Sequence, residues 1–380
     1  MTVRTIDRPM KRTRVAFDLV SMAMRVRFRL ASAGCHVRCG DTRYTLRTMN
    51  EATNRNIVHR PRRLRRGQLM RDIVADVSLS PFDLVMPLFV RNGTGVNKPV
   101  SSMPGVSQMS PDVAEARIRE LSASGLRQFI LFGIVEPDEK DEIGGAAFNP
   151  ENPVNVTLRR VRDAGIDAMM MADLCFCEYT DHGHCGKICD DEKLTVNNDA
   201  TLDLLGDQAV VLADNGADIV APSGMMDGMV GAIREALDDA NHSEIPILSY
   251  AIKYASAMYG PFREAGEGAP TFGDRRGYQM DYRRSGEWEV EMDLDLDEGA
   301  DMIMVKPAAA YLDIIRQVRD ATSVPVAAYH VSGEFSMIHA AAENGWIDLR
   351  AAAMEVTYAI KRAGANLILT YFAPDLLEWL

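Results

Sequence analysis

Residues 300–332 read Ala-Asp-Met-Ile-Met-Val-Lys-Pro-Ala-Ala-Ala-Tyr-Leu-Asp-Ile-Ile-Arg-Gln-Val-Arg-Asp-Ala-Thr-Ser-Val-Pro-Val-Ala-Ala-Tyr-His-Val-Ser. Two short apolar runs, 300–306 and 324–332, flank 312–320, where Leu312, Ile315 and Val318 recur at helical spacing. Apolar runs without alternation predict strands buried on both faces, and strand, helix, strand in that order predicts a parallel crossover unit. The pattern repeats along the chain. Further strands are predicted at 83–90, 128–134, 167–175, 217–223, 246–253 and 366–372, making eight, with amphipathic helices at 111–124, 156–164, 201–215, 228–240, 335–343 and 349–363. Eight such units close into an α/β structure, a (β/α)8 TIM barrel. An open doubly wound sheet is the competing fold, but no Gly-rich phosphate loop follows the first strand.

Catalytic residues of such barrels sit at the C-terminal strand ends. Here those ends carry Cys175, Ser223, Lys253, Lys306, Ser332 and Tyr371. Cys175 opens a cluster within Asp-Leu-Cys-Phe-Cys-Glu-Tyr-Thr-Asp-His-Gly-His-Cys-Gly, residues 173–186, in which Cys175, Cys177 and Cys185 offer three thiolates and no fourth. Thiolates favour zinc over magnesium or calcium, and three protein ligands leave a position open for chemistry. Packing as small buried apolar residues is the alternative. His182 and His184 are each a ligand, a hydrogen-bond partner of a ligand, or loop histidines.

Lys253 and Lys306 each close a strand expected to be buried. Desolvation and a neighbouring like charge lower an ammonium pKa and leave an amine able to form a Schiff base with a ketone. A lone lysine could instead snorkel to a carboxylate. Between the lysines, residues 259–285 form a long Gly-rich connection carrying Arg263, Arg275 and Arg276, the mark of a lid that grips a carboxylate.

The chain has 380 residues, 47% of them hydrophobic, enough for a large core. No apolar run reaches the ~18 residues of a membrane span, so a soluble protein with no membrane partner is expected. Six cysteines, clustered rather than paired, fit a reducing compartment and a cytoplasmic location. Residues 1–70 hold 17 basic against 4 acidic side chains, while the whole chain carries a net charge of −12. Such a basic tail is an arm that docks on an acidic neighbour, an organelle transit segment, or the product of a start assigned too early. Nucleic acid is not an expected partner: Arg62-Arg63-Leu64-Arg65-Arg66 is the dense basic run, and no aromatics interleave it.

From about Arg60 to Leu380 the chain resembles the porphobilinogen synthase (5-aminolevulinate dehydratase) family. The resemblance rests on the cysteine motif together with Ala-Pro-Ser-Gly-Met-Met-Asp-Gly, Tyr-Gly-Pro-Phe-Arg-Glu-Ala, Gly-Asp-Arg-Arg-Gly-Tyr-Gln, Met-Val-Lys-Pro and His-Val-Ser-Gly-Glu-Phe. It implies a barrel enzyme that condenses two molecules of 5-aminolevulinate into porphobilinogen with loss of two waters. Lys306 would hold the substrate that supplies the propionate side and Lys253 the one that supplies the acetate side. Cys175, Cys177 and Cys185 match the zinc triad and Asp173 the polar group before it, with Ser223 at the neighbouring strand end. Arg263, Arg275 and Gln279 fall where the lid holds the second carboxylate, and Ser332 and Tyr371 where the first is held. Glu291 matches the outer magnesium position, with Asp199 as its outer partner. The resemblance also implies a homo-octamer built through an arm, here residues 49–80, ahead of a catalytic domain at 81–380. Residues 1–48 have no counterpart in the family. They are expected to be poorly ordered or absent from the mature protein, with Met49 as the start, and the Cys35/Cys39 pair within them is read as chance. A lysine-dependent aldolase of the same barrel type would need one such lysine and leave the cysteines unexplained. A zinc-binding or metal-sensing protein would need neither lysines nor lid.

Overall fold

Each of the eight apolar runs forms a strand in the computed structural model, which describes residues 57–189 and 195–380. The chain divides into two units, Met1–Ile73 and Val74–Leu380. The described part of the first is a 3-10 turn at Pro61–Arg65, opened by proline, and a helix at Gln68–Ile73 in which Gln68 bonds both Asp72 and Arg71. The basic extension expected at 1–48 lies outside the described residues.

In the second unit the strands are β1 (Leu84–Arg91), β2 (Asn97–Pro99), β3 (Ser107–Met109), β4 (Gln128–Ile134), β5 (Met169–Leu174), β6 (Ile219–Pro222), β7 (Leu248–Lys253), β8 (Met302–Lys306), β9 (Val326–His330) and β10 (Leu367–Thr370). Their order is β6-β5-β4-β1-β10-β9-β8-β7, and every ladder along it is parallel. A parallel bridge between Val220 and Ile247 joins β6 to β7 and closes the ring, so the barrel and not the open sheet is the fold. The eight barrel strands are buried almost throughout, because helices cover the outside and side chains fill the inside.

Two differences from the sequence reading have local causes. The run at 324–332 ends as a strand at His330, and Ser332 instead opens the helix Ser332–Glu343. Glu334 draws the chain into that helix by accepting the Val331 N–H at 3.0 Å and the Ala309 N–H at 2.9 Å. The hairpin β2–β3 was not expected from the sequence: β2 is three exposed residues, Asn97-Lys98-Pro99, with no apolar signal. Among the described residues no helix is long and apolar enough to cross a membrane.

Ile130 is fully buried and pairs with Pro87 on one side and Met171 on the other. Ile130→Ala should therefore cost about 2–5 kcal/mol in a urea unfolding experiment, while Met337→Ala, at a side chain 51% exposed, should stay within about 0.5 kcal/mol of the parent.

Candidate active site

The register of β7 on β8 pairs Lys253 directly with Lys306, so both stems leave the sheet on the same side. One ring faces both amines: Tyr250 has its centroid 5.6 Å from Lys253 Nζ and 5.0 Å from Lys306 Nζ. Lys306 Nζ is also walled by Tyr329 at 4.3 Å, Phe262 at 5.1 Å and Tyr259 at 5.4 Å. Lys253 Nζ donates to the Ser223 carbonyl at 2.5 Å, and Ser223 Oγ donates to Asp173 Oδ2 at 3.2 Å. Burial, and then the charge of Lys253, pull Lys306 down to about 7. Burial, and then the neighbouring Glu178, push Asp173 up to about 8. Near neutral pH the site therefore holds an amine poised between its charged and neutral forms and a carboxyl that mostly keeps its proton.

Beside the lysines, the sulfurs of Cys175, Cys177 and Cys185 lie within 4.8 Å of one another, all buried, with Cys175 and Cys177 3.5 Å apart. Hydrogen bonds from Cys175 and Cys177 hold the Cys185 thiol well below its usual range. Hydrogen bonding to Cys175 and Cys185, and burial, push Cys177 well above it. Three soft donors that share negative charge in a buried pocket fit a thiophilic divalent cation. Asp173, Cys175 and Glu178 form a second, overlapping group within the same span. The histidines point elsewhere. His182 Nε2 meets the Glu142 carbonyl and its Nδ1 accepts the His184 N–H, while His184 meets Phe272 O and Tyr278 Oη, so neither ring is aimed at the sulfurs.

The segment after the helix Gly260–Ala265 runs without regular structure to the helix Glu287–Asp297. It carries Arg275 and Gln279, and the short helix carries Arg263. Arg263 Nε, Arg275 Nε and Gln279 Nε2 are buried donors that have no partner among the described residues, the signature of a place built for acceptors. Arg263 and Arg275 line the same space as Lys253, Lys306, Asp173 and Ser223. Arg276 is exposed and turns to Asp274. The free volume is about 20 Å³, room for little more than one water.

Not every expected residue reaches that space. Ser332 and Tyr371 stand behind its walls: Ser332 Oγ accepts the Phe262 N–H at 2.9 Å, and Tyr371 Oη bonds Tyr329 Oη at 3.0 Å. Gln279 lines a neighbouring groove of about 380 Å³ together with Asp227, Glu287 and Glu291. Burial, then Asp227 and Glu287, raise Glu291 above the usual carboxylate range. Asn198, not Asp199, faces that groove. Sequence reasoning passed over Glu178, 2% exposed and accepting the Cys177 thiol at 3.2 Å, although it directly follows the second cysteine. It also passed over the ring wall of Tyr250, Tyr259, Phe262 and Tyr329. Tyrosines inside otherwise aliphatic strands were the available signal.

Residues 58–379 match the family model described as delta-aminolevulinic acid dehydratase. A delta-aminolevulinic acid dehydratase of Halalkalibacterium halodurans is 49% identical over 321 residues, 84% of this chain and 96% of that protein. One from Synechocystis sp. is 51% identical over 322 residues, 84% and 98% of the two chains. The crystal structure of the Toxoplasma gondii enzyme, in complex with the reaction product porphobilinogen, superposes with a TM-score of 0.83 at 39% identity, covering 86% of this chain and 92% of that one. With its paired lysines, thiol cluster and closed parallel barrel, the chain belongs to the delta-aminolevulinic acid dehydratase family.

Proposed function

We propose that the protein is a hydro-lyase of tetrapyrrole biosynthesis that condenses two molecules of 5-aminolevulinate into porphobilinogen, with Schiff bases at Lys306 and Lys253. The observation that carries this reading is the register pairing of the two lysines, since two ketones activated as imines call for two adjacent amines. Each imine forms when a neutral amine adds to a ketone and the ketone oxygen leaves as water, taking two protons. Lys306, pulled down to about 7, has a substantial share of its amine free of its proton near neutral pH, and Asp173, protonated below about 8, is the nearby acid. One carbon–carbon and one carbon–nitrogen bond then close the pyrrole, and both lysine amines are regenerated. The ring faces around Lys306 favour a cation there, which suits a protonated imine. Arg263 and Arg275 offer N–H groups to one substrate carboxylate, which Gln279 reaches from the neighbouring groove when the lid shifts, while Ser332 and Tyr371 serve the other once the aromatic wall shifts. Zinc on Cys175, Cys177 and Cys185 would supply a Lewis acid beside the second substrate.

The finer assignments rest on the same groups. Glu291, with Asp227 and Glu287 beside it, offers the carboxylates with which magnesium, keeping its waters, is usually held, and we assign it the stimulatory magnesium. The arm at 49–80 exposes Leu64, Leu69 and Ile73, apolar surface suited to a neighbouring subunit in a homo-octamer. The free thiols of Cys175, Cys177, Cys185 and Cys189 suit a reducing compartment, which we take to be the cytoplasm.

Purified protein given 5-aminolevulinate alone should produce the pyrrole, and borohydride added during turnover should leave a substrate adduct on Lys306 or Lys253 by mass spectrometry. Lys306→Ala should lose roughly 10³-fold or more in kcat with its circular dichroism intact. An adduct confined to another lysine refutes the assignment. A profile of kcat/KM against pH should rise through about 7 as Lys306 loses its proton and fall above about 8 as Asp173 loses its own. Asp173→Asn should lower the rate and abolish the falling limb. Magnesium should accelerate the parent but not Glu291→Ala; an unchanged response in that variant places the ion elsewhere.

A further inference from the structure

The lid and the cysteine loop lie about ninety residues apart in sequence and are stitched together side by side. The Thr271 N–H donates to the His182 carbonyl at 3.0 Å, and Arg275 Nη2 donates to the carbonyls of Gly183 at 2.9 Å and Gly268 at 2.6 Å. Their backbones touch: a Cβ on Gly268 would lie 2.7 Å from the Cys177 carbonyl, and one on Gly183 would collide with the Ala269 carbonyl. Gly183 also takes a φ of +69°, which a side chain would strain.

His184 is the side chain of the loop that reaches both halves of the lid. It is 2% exposed, with its ring 4.7 Å from that of Phe272. Its Nε2 lies 3.1 Å from the Phe272 carbonyl and its Nδ1 3.1 Å from Tyr278 Oη. A carbonyl can only accept, so Nε2 carries the hydrogen and Nδ1 accepts from the tyrosine hydroxyl. These two contacts bracket Arg275, and Gln279 follows Tyr278 directly. His184 is in turn adjacent to Cys185, whose sulfur belongs to the triad.

We propose that His184 is a positioning residue: a donor-and-acceptor latch through which the shape of the three-thiol loop sets where the lid holds Arg275 and Gln279. The thiol site and the lid then act as one unit, and a loop opened by loss of its metal releases the lid. Which substrate group the lid grips rests on the proposed function; the latch itself does not, because it is readable in the substrate-free protein.

The test is amide hydrogen exchange of the lid peptide 266–280 in zinc-loaded protein, alongside zinc stoichiometry and steady-state kinetics. His184→Phe keeps the packing on Phe272 and loses both hydrogen bonds, so lid exchange should rise about tenfold with zinc content unchanged. The KM for 5-aminolevulinate should rise about as much, with kcat within about threefold. His184→Gln should restore lid protection and KM, because one amide can donate to Phe272 and accept from Tyr278. Tyr278→Phe should produce part of the same loosening and add little to His184→Phe, and it keeps the test open if the histidine variant fails to fold. Zinc-stripped parent protein should show the same loosened lid. Parent-like exchange in His184→Phe and Tyr278→Phe, or an unmoved lid on zinc removal, overturns the latch; so does a glutamine variant as loose as the phenylalanine one. Exchange that behaves as expected in a protein that makes no pyrrole would sink the proposed function and leave the latch standing.

Discussion

Lys253 and Lys306 are register partners on adjacent strands, so two amines share one buried face of the barrel. Two ammonium ions side by side without water would repel each other and would each lose their hydration, so one proton is given up. The surroundings follow from that conflict. Ring faces of Tyr250 and Tyr329 accept whatever positive charge remains, the Ser223 carbonyl takes the hydrogen bond of Lys253, and a protonated Asp173 adds no full negative charge that would pin both lysines in the charged form. The register shifts between Ser249 and Ile252 on β7, and the Lys253–Lys306 pairing lies just beyond that irregularity.

Much of the fold was legible because it rests on local signals. Unbroken apolar runs and helix-period segments located all eight barrel strands within about two residues, and Pro111 and Leu349 began helices where the pattern placed them. The hairpin at 97–109 escaped because its first strand is polar and exposed, held by pairing alone. Ser332 passed for the end of a strand because Val331 extends the apolar run; the capping carboxylate of Glu334 decided otherwise.

The site was legible in its chemistry and less so in its geometry. Cysteines at 175, 177 and 185 stand out as a cluster through their spacing, and lysines at strand ends stand out through their position. What no local pattern carries is the meeting of segments far apart in sequence. The contact of His184 with Phe272 and Tyr278, the ring wall about Lys306, and the stacking of Ser332 and Tyr371 behind Phe262 and Tyr329 are all long-range. The histidines illustrate the gap: beside a cysteine they resemble ligands, yet His184 spends both ring nitrogens on the lid, and His182 spends one on the Glu142 carbonyl and the other on the His184 N–H.

The narrow space between the lysines bears on the lifetime of the imines. An enzyme leaves the overall equilibrium of a condensation unchanged, but water that reaches an imine returns it to ketone and amine. With about 20 Å³ of free volume under the lid, the chamber admits little more than one water molecule. Substrates that fill the chamber keep further water from the imines, so these intermediates last long enough to react onward. The narrowness of the site is, on this account, kinetic protection for a water-sensitive intermediate.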